Sequence, residues 1–233
     1  MEIPGAPFIE GVFLERPNRF ITKIQLGESV VTSHLADPGR LKELLFPGAH
    51  VLLRKHNDPK RKTQYTTVMV YQNEQLVSLN TQLPNLYVKY CLQNHLIPVF
   101  KDWDFVKAEV AFGHSRFDFL LKRGRLTKIL EVKSVTLIDN GIAKFPDAIT
   151  ERGKRHVNHL TELLKPNQST AVLFMIQREG ATYFKPFAER DPDFTNALIQ
   201  AAKMGVEIYA YENIMTPTHI SLTKEIPINF NCI

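Results

Sequence analysis

The chain has 233 residues, enough for two modest domains or one large one, with 44% hydrophobic and 23% charged residues, as in an ordinary globular protein. No apolar run approaches the roughly 20 residues of a membrane helix, which argues against a membrane partner. The segment MEIPGAPFIEGVFLERPNRF lacks both the basic start and the unbroken apolar stretch of a secretory signal. A formal charge of +5 favours an anionic partner only through where the cations sit, and the two cysteines, Cys91 and Cys232, have no ligand spacing and fit a reducing compartment.

From Phe8 to about Asn80 the pattern is short strands with turn punctuation. Phe8–Glu15, Phe20–Leu26 and Ser29–Leu35 come first. Asp37-Pro38-Gly39 then leads into a short helix, Arg40–Phe46, stopped by Pro47-Gly48. Val51–Lys55, Gln64–Val70 and Glu74–Leu79 complete the series. Five or so strands with one helix after the third match an OB-type barrel, with another small half-barrel as the alternative. The composition changes near residues 80–85, where Leu83-Pro84-Asn85 starts an apolar helix that ends before Pro98. This predicts domains at 1–82 and 83–233.

Lys107–Val135 reads as three strands joined by tight turns at Gly113-His114 and Gly124-Arg125, glycine suiting the first central position of a type II′ hairpin. In that register Glu109 lies opposite Asp118, and Asp118 opposite Glu131. Lys133 follows two residues on, on the same face. Carboxylates on strands about 4.8 Å apart repel unless a cation lies among them, and oxygen ligands suit Mg²⁺ or Mn²⁺. Asp118 with Glu131-Val132-Lys133 has the form D…(D/E)-x-K, in which the intervening residue points away and leaves acid and lysine together. That set suits phosphodiester hydrolysis: Glu109, Asp118 and Glu131 as metal ligands, and Lys133 to position or deprotonate a water or stabilise phosphate charge. An exposed sheet face with ordinary charge alternation is the competing reading.

The third strand is expected to continue to Ile138, before an Asp139-Asn140-Gly141 turn. Asp147 then caps a helix, AITERGKRHVNHLTELLK, ending at Pro166-Asn167. At 100° per residue Ile149, Gly153, Val157, Leu160 and Leu164 form its docking stripe. Arg152, Arg155, His156 and His159 form a second stripe, for phosphate contact or simple solvation. Ser169–Gln177 reads as a strand buried on both faces. A helix opened by Asp191-Pro192 and stopped by Gly205 follows, then a core strand Val206–Tyr211. The order α-β-β-β-α-β-α-β predicts a mixed sheet flanked by helices, hence α+β overall.

Arg54-Lys55-His56-Asn57-Asp58-Pro59-Lys60-Arg61-Lys62 joins two barrel strands, with five basic residues against one acid. It suits non-specific phosphate contact, although a solvated loop explains it nearly as well. The candidate phosphate-contact set is Arg16, Arg19, Arg40, Lys55, Lys60, Arg61 and Lys62, with Arg152, Arg155 and His156 on the helix, and these would be the DNA-binding residues toward a nucleic-acid partner. Tyr65 and Phe20 are candidates for base stacking or for core, and His34 and His50 read as structural. No Gly-rich phosphate loop, Ser-His-Asp set or Cys/His zinc cluster occurs, so no nucleotide cofactor is expected.

The segments RPNRF (16–20), HLADPGRLKELLFPG (34–48), SLNTQLPN (78–85), SRFDFLL (115–121), EVKSVTL (131–137) and FPDAITERGKRHVNHLTEL (145–163) resemble the sugar fermentation stimulation protein A (SfsA) family over essentially the whole chain. The resemblance implies an N-terminal OB fold, a C-terminal domain of the PD-(D/E)xK nuclease type and a cytoplasmic location. It also implies binding of double- or single-stranded DNA without strong sequence preference, and a role in regulating sugar (maltose) metabolism. The class name calls for Pro before the aspartate, where this chain has Phe117. Two functions follow: a metal-dependent deoxyribonuclease, or a non-enzymatic DNA-binding regulator on the same fold. A barrel binding oligosaccharide has no support in the chain beyond the versatility of the fold.

Overall fold

The structure is a computed structural model describing residues 1–230; Cys232 lies outside them. The chain divides into two compact units. One comprises Met1–Leu83 with Gln177–Glu179 and Asn213–Ser221; the other comprises Pro84–Ile176, Gly180–Glu212 and residues 222–230.

The first unit is built on β1 (Ile9–Asn18), β2 (Ile21–Leu26), β3 (Ser29–Leu35), β4 (His50–Lys55), β5 (Tyr65–Gln72) and β6 (Gln75–Ser78). β1 pairs with both β2 and β4, and β3 closes onto β5 in parallel, so five strands form a barrel in the order β1-β2-β3-β5-β4. This is the OB-type closure. Alternating residues of these strands, among them Phe13, Ile24, Leu35, Val51, Leu53 and Val70, fill its interior. Three hydroxyls mark the closure: Thr67 Oγ1 lies 2.9 Å from both Thr22 Oγ1 and Ser33 Oγ, and all three residues are fully buried. A hydroxyl in a dry barrel needs such a partner, so the triad favours this register of β2, β3 and β5 over a slipped one.

The expected helix Arg40–Phe46 does not form. Leu41 adopts a left-handed backbone (φ 51°), which no helix continues, and a single turn follows, with Leu45 N–H donating to Leu41 O at 2.8 Å. The apolar spacing that suggests a helix is instead a plug: Leu41, Leu44 and Leu45 are buried in the barrel core.

The second unit opens with α1 (Leu83–Gln93) and a short turn of 3₁₀-helix, Pro98–Phe100. The meander β7 (Asp104–Phe112), β8 (Ser115–Arg123) and β9 (Leu126–Val135) comes next. Gly113 (φ 53°) and Gly124 (φ 58°) take the left-handed position at each turn, as a II′ hairpin requires. Then come β10 (Leu137–Asp139), β11 (Ile142–Phe145), α2 (Glu151–Glu162), β12 (Gln168–Ile176), β13 (Tyr183–Pro186), α3 (Pro192–Met204), β14 (Glu207–Met215) and β15 (Ile220–Glu225). The main sheet runs β15-β14-β12-β9-β8-β7, with β9, β12 and β14 mutually parallel and β7 and β8 antiparallel. The result is a mixed sheet flanked by helices, as the order of the predicted elements implies. Phe117, Ile129, Val172 and Phe174 from the sheet pack with Val157 and Leu160 of α2 and Phe194 and Leu198 of α3.

Two expectations about this unit need correction. The third strand stops at Val135, because Leu137–Asp139 turns away to pair with β11 in a separate three-stranded sheet, β10-β11-β13. The run Val135-Thr136-Leu137-Ile138 carries no Gly or Pro to announce the break. Asp147 also does not cap α2. Thr150 does, its Oγ1 accepting from Gly153 N at 3.1 Å, so Ile149 falls outside the helix and is exposed. Asp191 joins the two helix starts: Oδ1 accepts from Phe194 N at 3.0 Å to cap α3, and Oδ2 accepts from Thr150 N at 2.7 Å. Gly153 lets them approach, since a Cβ there would stand 2.8 Å from Thr150 Cγ2 and 3.3 Å from Phe194 Cδ2.

Thr67→Val is isosteric and leaves the Thr22 and Ser33 hydroxyls short of their partner in a dry core. It is expected to destabilise the protein by roughly 1–3 kcal/mol, read as a lower urea midpoint. An unchanged midpoint would show the triad to be incidental.

Candidate metal centre

β8 and β9 place the acids. Alternation sends Phe117, Phe119 and Leu121 into the core and turns Asp118 to the other face. β9 lies between β8 and β12 and is covered on both sides, so Ile129 to Val132 are all buried, Glu131 included. The β8–β9 ladder runs back from the turn to Phe119↔Leu130 and stops there. In place of a further backbone pair, Asp118 Oδ2 accepts from Val132 N at 2.7 Å. Asp118 Oδ1 accepts from Asn85 Nδ2 of α1 at 2.5 Å.

Glu131 is held at one oxygen. Lys133 Nζ donates to Glu131 Oε1 at 2.6 Å, and His156 Nδ1 of α2 donates to the same oxygen at 2.7 Å. Glu131 Oε2 is buried and has no partner. His156 Nε2 in turn accepts from Arg152 Nε at 3.5 Å, which leaves the ring proton on Nδ1, facing Glu131. The edge of Phe117 packs on His156, and His159 stacks on His114 of the β7–β8 turn with ring centroids 4.2 Å apart.

The two carboxyls respond oppositely to this environment. Burial, reinforced by the charge of Glu131, pushes the Asp118 carboxyl up to about 6 despite Val132 N–H, Lys133 and Asn85. Burial also acts to raise Glu131. There the hydrogen bond from His156 and the charge and hydrogen bond of Lys133 prevail, and hold it below the usual carboxylate range.

The structure thus brings together Asp118, Glu131 and Lys133, but not Glu109. The paired residues on either side, Ala108↔Phe119 and Val110↔Phe117, keep the expected register. Glu109 itself takes φ 52°, and its side chain is 74% exposed, 3.6 Å from Arg116. A left-handed residue leaves the pleat, and the third carboxylate leaves the row with it. Among the described residues no group of three or more His, Cys, Asp and Glu side chains is placed to hold a metal ion. The fit to a hard divalent cation therefore rests on Asp118 and Glu131. Their donors are all oxygen, and one of them, Glu131 Oε2, is buried with its lone pairs unused. Mg²⁺ commonly takes only one or two protein carboxylates and fills its remaining positions with water and phosphate oxygens.

The cations expected at DNA divide as well. Arg19, Arg40, Lys55, Lys60, Arg61 and Lys62 of the first unit, and Arg152 and Arg155 of α2, are exposed. Arg16 is committed elsewhere. Its Nη1 donates to Gly39 O (2.7 Å) and Arg40 O (3.0 Å), and its Nη2 to Arg19 O (2.7 Å) and Asp37 O (2.9 Å), so it clamps the loops around it. His156 is buried on Glu131 and is no surface phosphate contact. Asn85 enters the site unannounced. Its place in Leu83-Pro84-Asn85 marks a helix start and nothing more, since its partner lies 33 residues away. The partner of His156 has a fainter signal: His156 precedes Leu160 by one helical turn, on the edge of the buried arc.

Because the folded state raises Asp118, it binds a proton that the unfolded chain has already released between about pH 4 and 6. Stability from this group is therefore lost as pH rises through that window. Asp118→Asn removes the penalty. In metal-free buffer the variant should match or trail the wild type near pH 4 and gain on it by roughly 1–3 kcal/mol by pH 7–8, as followed by urea unfolding. A difference that does not change with pH would refute the raised carboxyl.

Two family models cover most of the chain. One described as the SfsA N-terminal OB domain matches residues 14–79, and one described as the sugar fermentation stimulation protein RE domain matches residues 82–219. The sugar fermentation stimulation protein homolog of Alkaliphilus metalliredigens is 46% identical over 94% of this chain and 96% of its own. That of Chloroflexus aurantiacus is 46% identical over 96% and 86%. The solved structure of Pyrococcus furiosus SfsA in complex with Ca²⁺ is 25% identical, covers 98% of each chain and superimposes with a TM-score of 0.88. Family models and relatives agree over nearly the whole length, and the chain belongs to the sugar fermentation stimulation protein (SfsA) family.

Proposed function

We propose that this chain binds DNA largely without regard to sequence and carries a Mg²⁺- or Mn²⁺-dependent phosphodiester-hydrolysing site at Asp118, Glu131 and Lys133. The carrying observation is Glu131 Oε2, a buried carboxylate oxygen with no partner, on a side chain whose other oxygen is held twice. A retired site has no physical reason to keep a buried acid and a half-buried one of like charge there. The Pyrococcus furiosus relative is described in complex with Ca²⁺, a hard cation that takes oxygen ligands, which agrees with the donor set of this chain.

Asp118 and Glu131 would hold the cation, Asp118 with orientation from Asn85 and Val132 N–H. When bound, the cation lowers the pKa of a coordinated water and offsets charge on the phosphate. Lys133, a half-buried ammonium beside Glu131, donates to the attacking water or to a non-bridging phosphate oxygen as negative charge builds there. The exposed arginines Arg152 and Arg155 on α2 meet the flanking phosphates. We assign residues 1–82 to a barrel whose Arg19, Arg40, Lys55, Lys60, Arg61 and Lys62 track the backbone. We assign residues 83–233 to the nuclease-type domain, with 177–179 and 213–221 clustering with the first unit. No helix among the described residues is long and apolar enough to cross a membrane. A cytoplasmic protein acting on DNA is the reading we adopt, with any effect on sugar metabolism exerted through that binding.

Purified protein incubated with Mg²⁺ or Mn²⁺ should cut at least one of single-stranded, duplex or branched DNA. Lys133→Met should lower the rate by roughly 10²-fold or more. Cleavage of none of these substrates, or equal rates for the two proteins, would sink the hydrolytic reading and leave a DNA-binding protein. Binding to random-sequence DNA should weaken with salt along a log–log slope of roughly −4 to −5, as about five phosphate contacts require. A flat dependence would contradict phosphate-led binding.

A further inference from the structure

Glu131 Oε1 accepts from two donors, one for each lone pair, and the two differ in kind. Lys133 reaches the oxygen from two residues along the same strand by a flexible side chain. His156 reaches it from α2 by a short, stiff one. The ring is wedged against the edge of Phe117, its side chain is only 9% exposed, and Arg152 on its far nitrogen leaves the proton on Nδ1. An ammonium has three N–H donors on a flexible stem, so as it turns toward water or phosphate it holds the carboxylate less firmly than a wedged imidazole does.

We infer that His156 is the positioning residue of this centre: its Nδ1–H fixes Glu131 Oε1, so that Oε2 is presented to the cation while Lys133 is free to leave for the substrate. This rests on the metal site proposed above and adds a division of labour between its two donors. Helix α2 then has a role beyond covering the sheet, because its docking stripe of Gly153, Val157 and Leu160 sets where His156 stands. An imidazole that orients a ligand from outside the coordination sphere belongs to the class of partners whose loss typically lowers metal affinity by about 10–100-fold.

The test uses the full chain and Mn²⁺ alone, with affinity read from the electron paramagnetic resonance signal of free Mn²⁺ and no DNA present. Asn places an amide nitrogen where His carries Nδ1, and Gln places one where His carries Nε2. The inference expects wild type, His156→Asn and Lys133→Met to bind Mn²⁺ within about threefold of one another, and His156→Gln to bind at least about tenfold more weakly. If His156→Gln binds as tightly as wild type, or if His156→Asn falls as low as His156→Gln, the Nδ1 hold is refuted. Should His156→Gln fail to fold, the other two variants still decide. A tenfold loss in Lys133→Met with His156→Asn unaffected makes lysine the anchor and overturns the assignment, whereas retention by both upholds it. Wild-type protein that binds no Mn²⁺ contradicts the metal site itself, a failure distinct from that of His156.

Discussion

A buried carboxylate, Glu131, with a half-buried one, Asp118, on the neighbouring strand is the constraint on which this structure turns. Glu131 is buried and Asp118 half-buried, and the charge of Glu131 adds to the difficulty of ionising Asp118. The protein settles the conflict unequally. Glu131 receives an ammonium and an imidazole on one oxygen and stays ionised. Asp118 receives two neutral donors, a backbone N–H and a side-chain amide, and is pushed up to about 6. Only Asp118 is thus raised toward neutral pH, and Glu131 Oε2 is left without a hydrogen-bond partner.

The surrounding architecture follows from holding that pair. β9 must be central to bury Glu131, so β12 flanks it in parallel on one side and β8 on the other. The β8–β9 ladder must end where Asp118 needs Val132 N–H for its own side chain. α2 must come down with His156 over β9, and the Thr150 cap, Gly153 and Asp191 fix its start against α3. Each of these is a local feature with an ordinary physical cause. Together they leave Lys133 and His156 on Glu131, with Asp118 held beside them by Asn85 and Val132 N–H.

Much of this was legible in the residues. Glycine at 113 and 124 announced two hairpins, and hairpin arithmetic put Asp118 beside Glu131. Asp191-Pro192 and Gly205 bounded α3 at both ends. What failed did so where one residue departed from the regular geometry of its neighbours. Glu109 kept its register but left the pleat through a left-handed backbone, a conformation unusual enough for glutamate that no pattern predicts it. Leu41 did the same to the expected helix. Charge marks Arg16 and His156 as surface groups, because periodicity locates a side chain on a face without showing which backbone carbonyls or acids will claim it. Asn85 was invisible, since the contact that gives it meaning spans 33 residues.

The most direct test of the account is a crystal of the full chain grown with Mn²⁺, examined for anomalous scattering at the manganese absorption edge. The account predicts a single strong peak between Asp118 and Glu131 Oε2, with His156 Nδ1 still on Glu131 Oε1 and Glu109 directed to solvent. A peak ligated by Glu109, or none at the carboxylate pair at millimolar Mn²⁺, would contradict it.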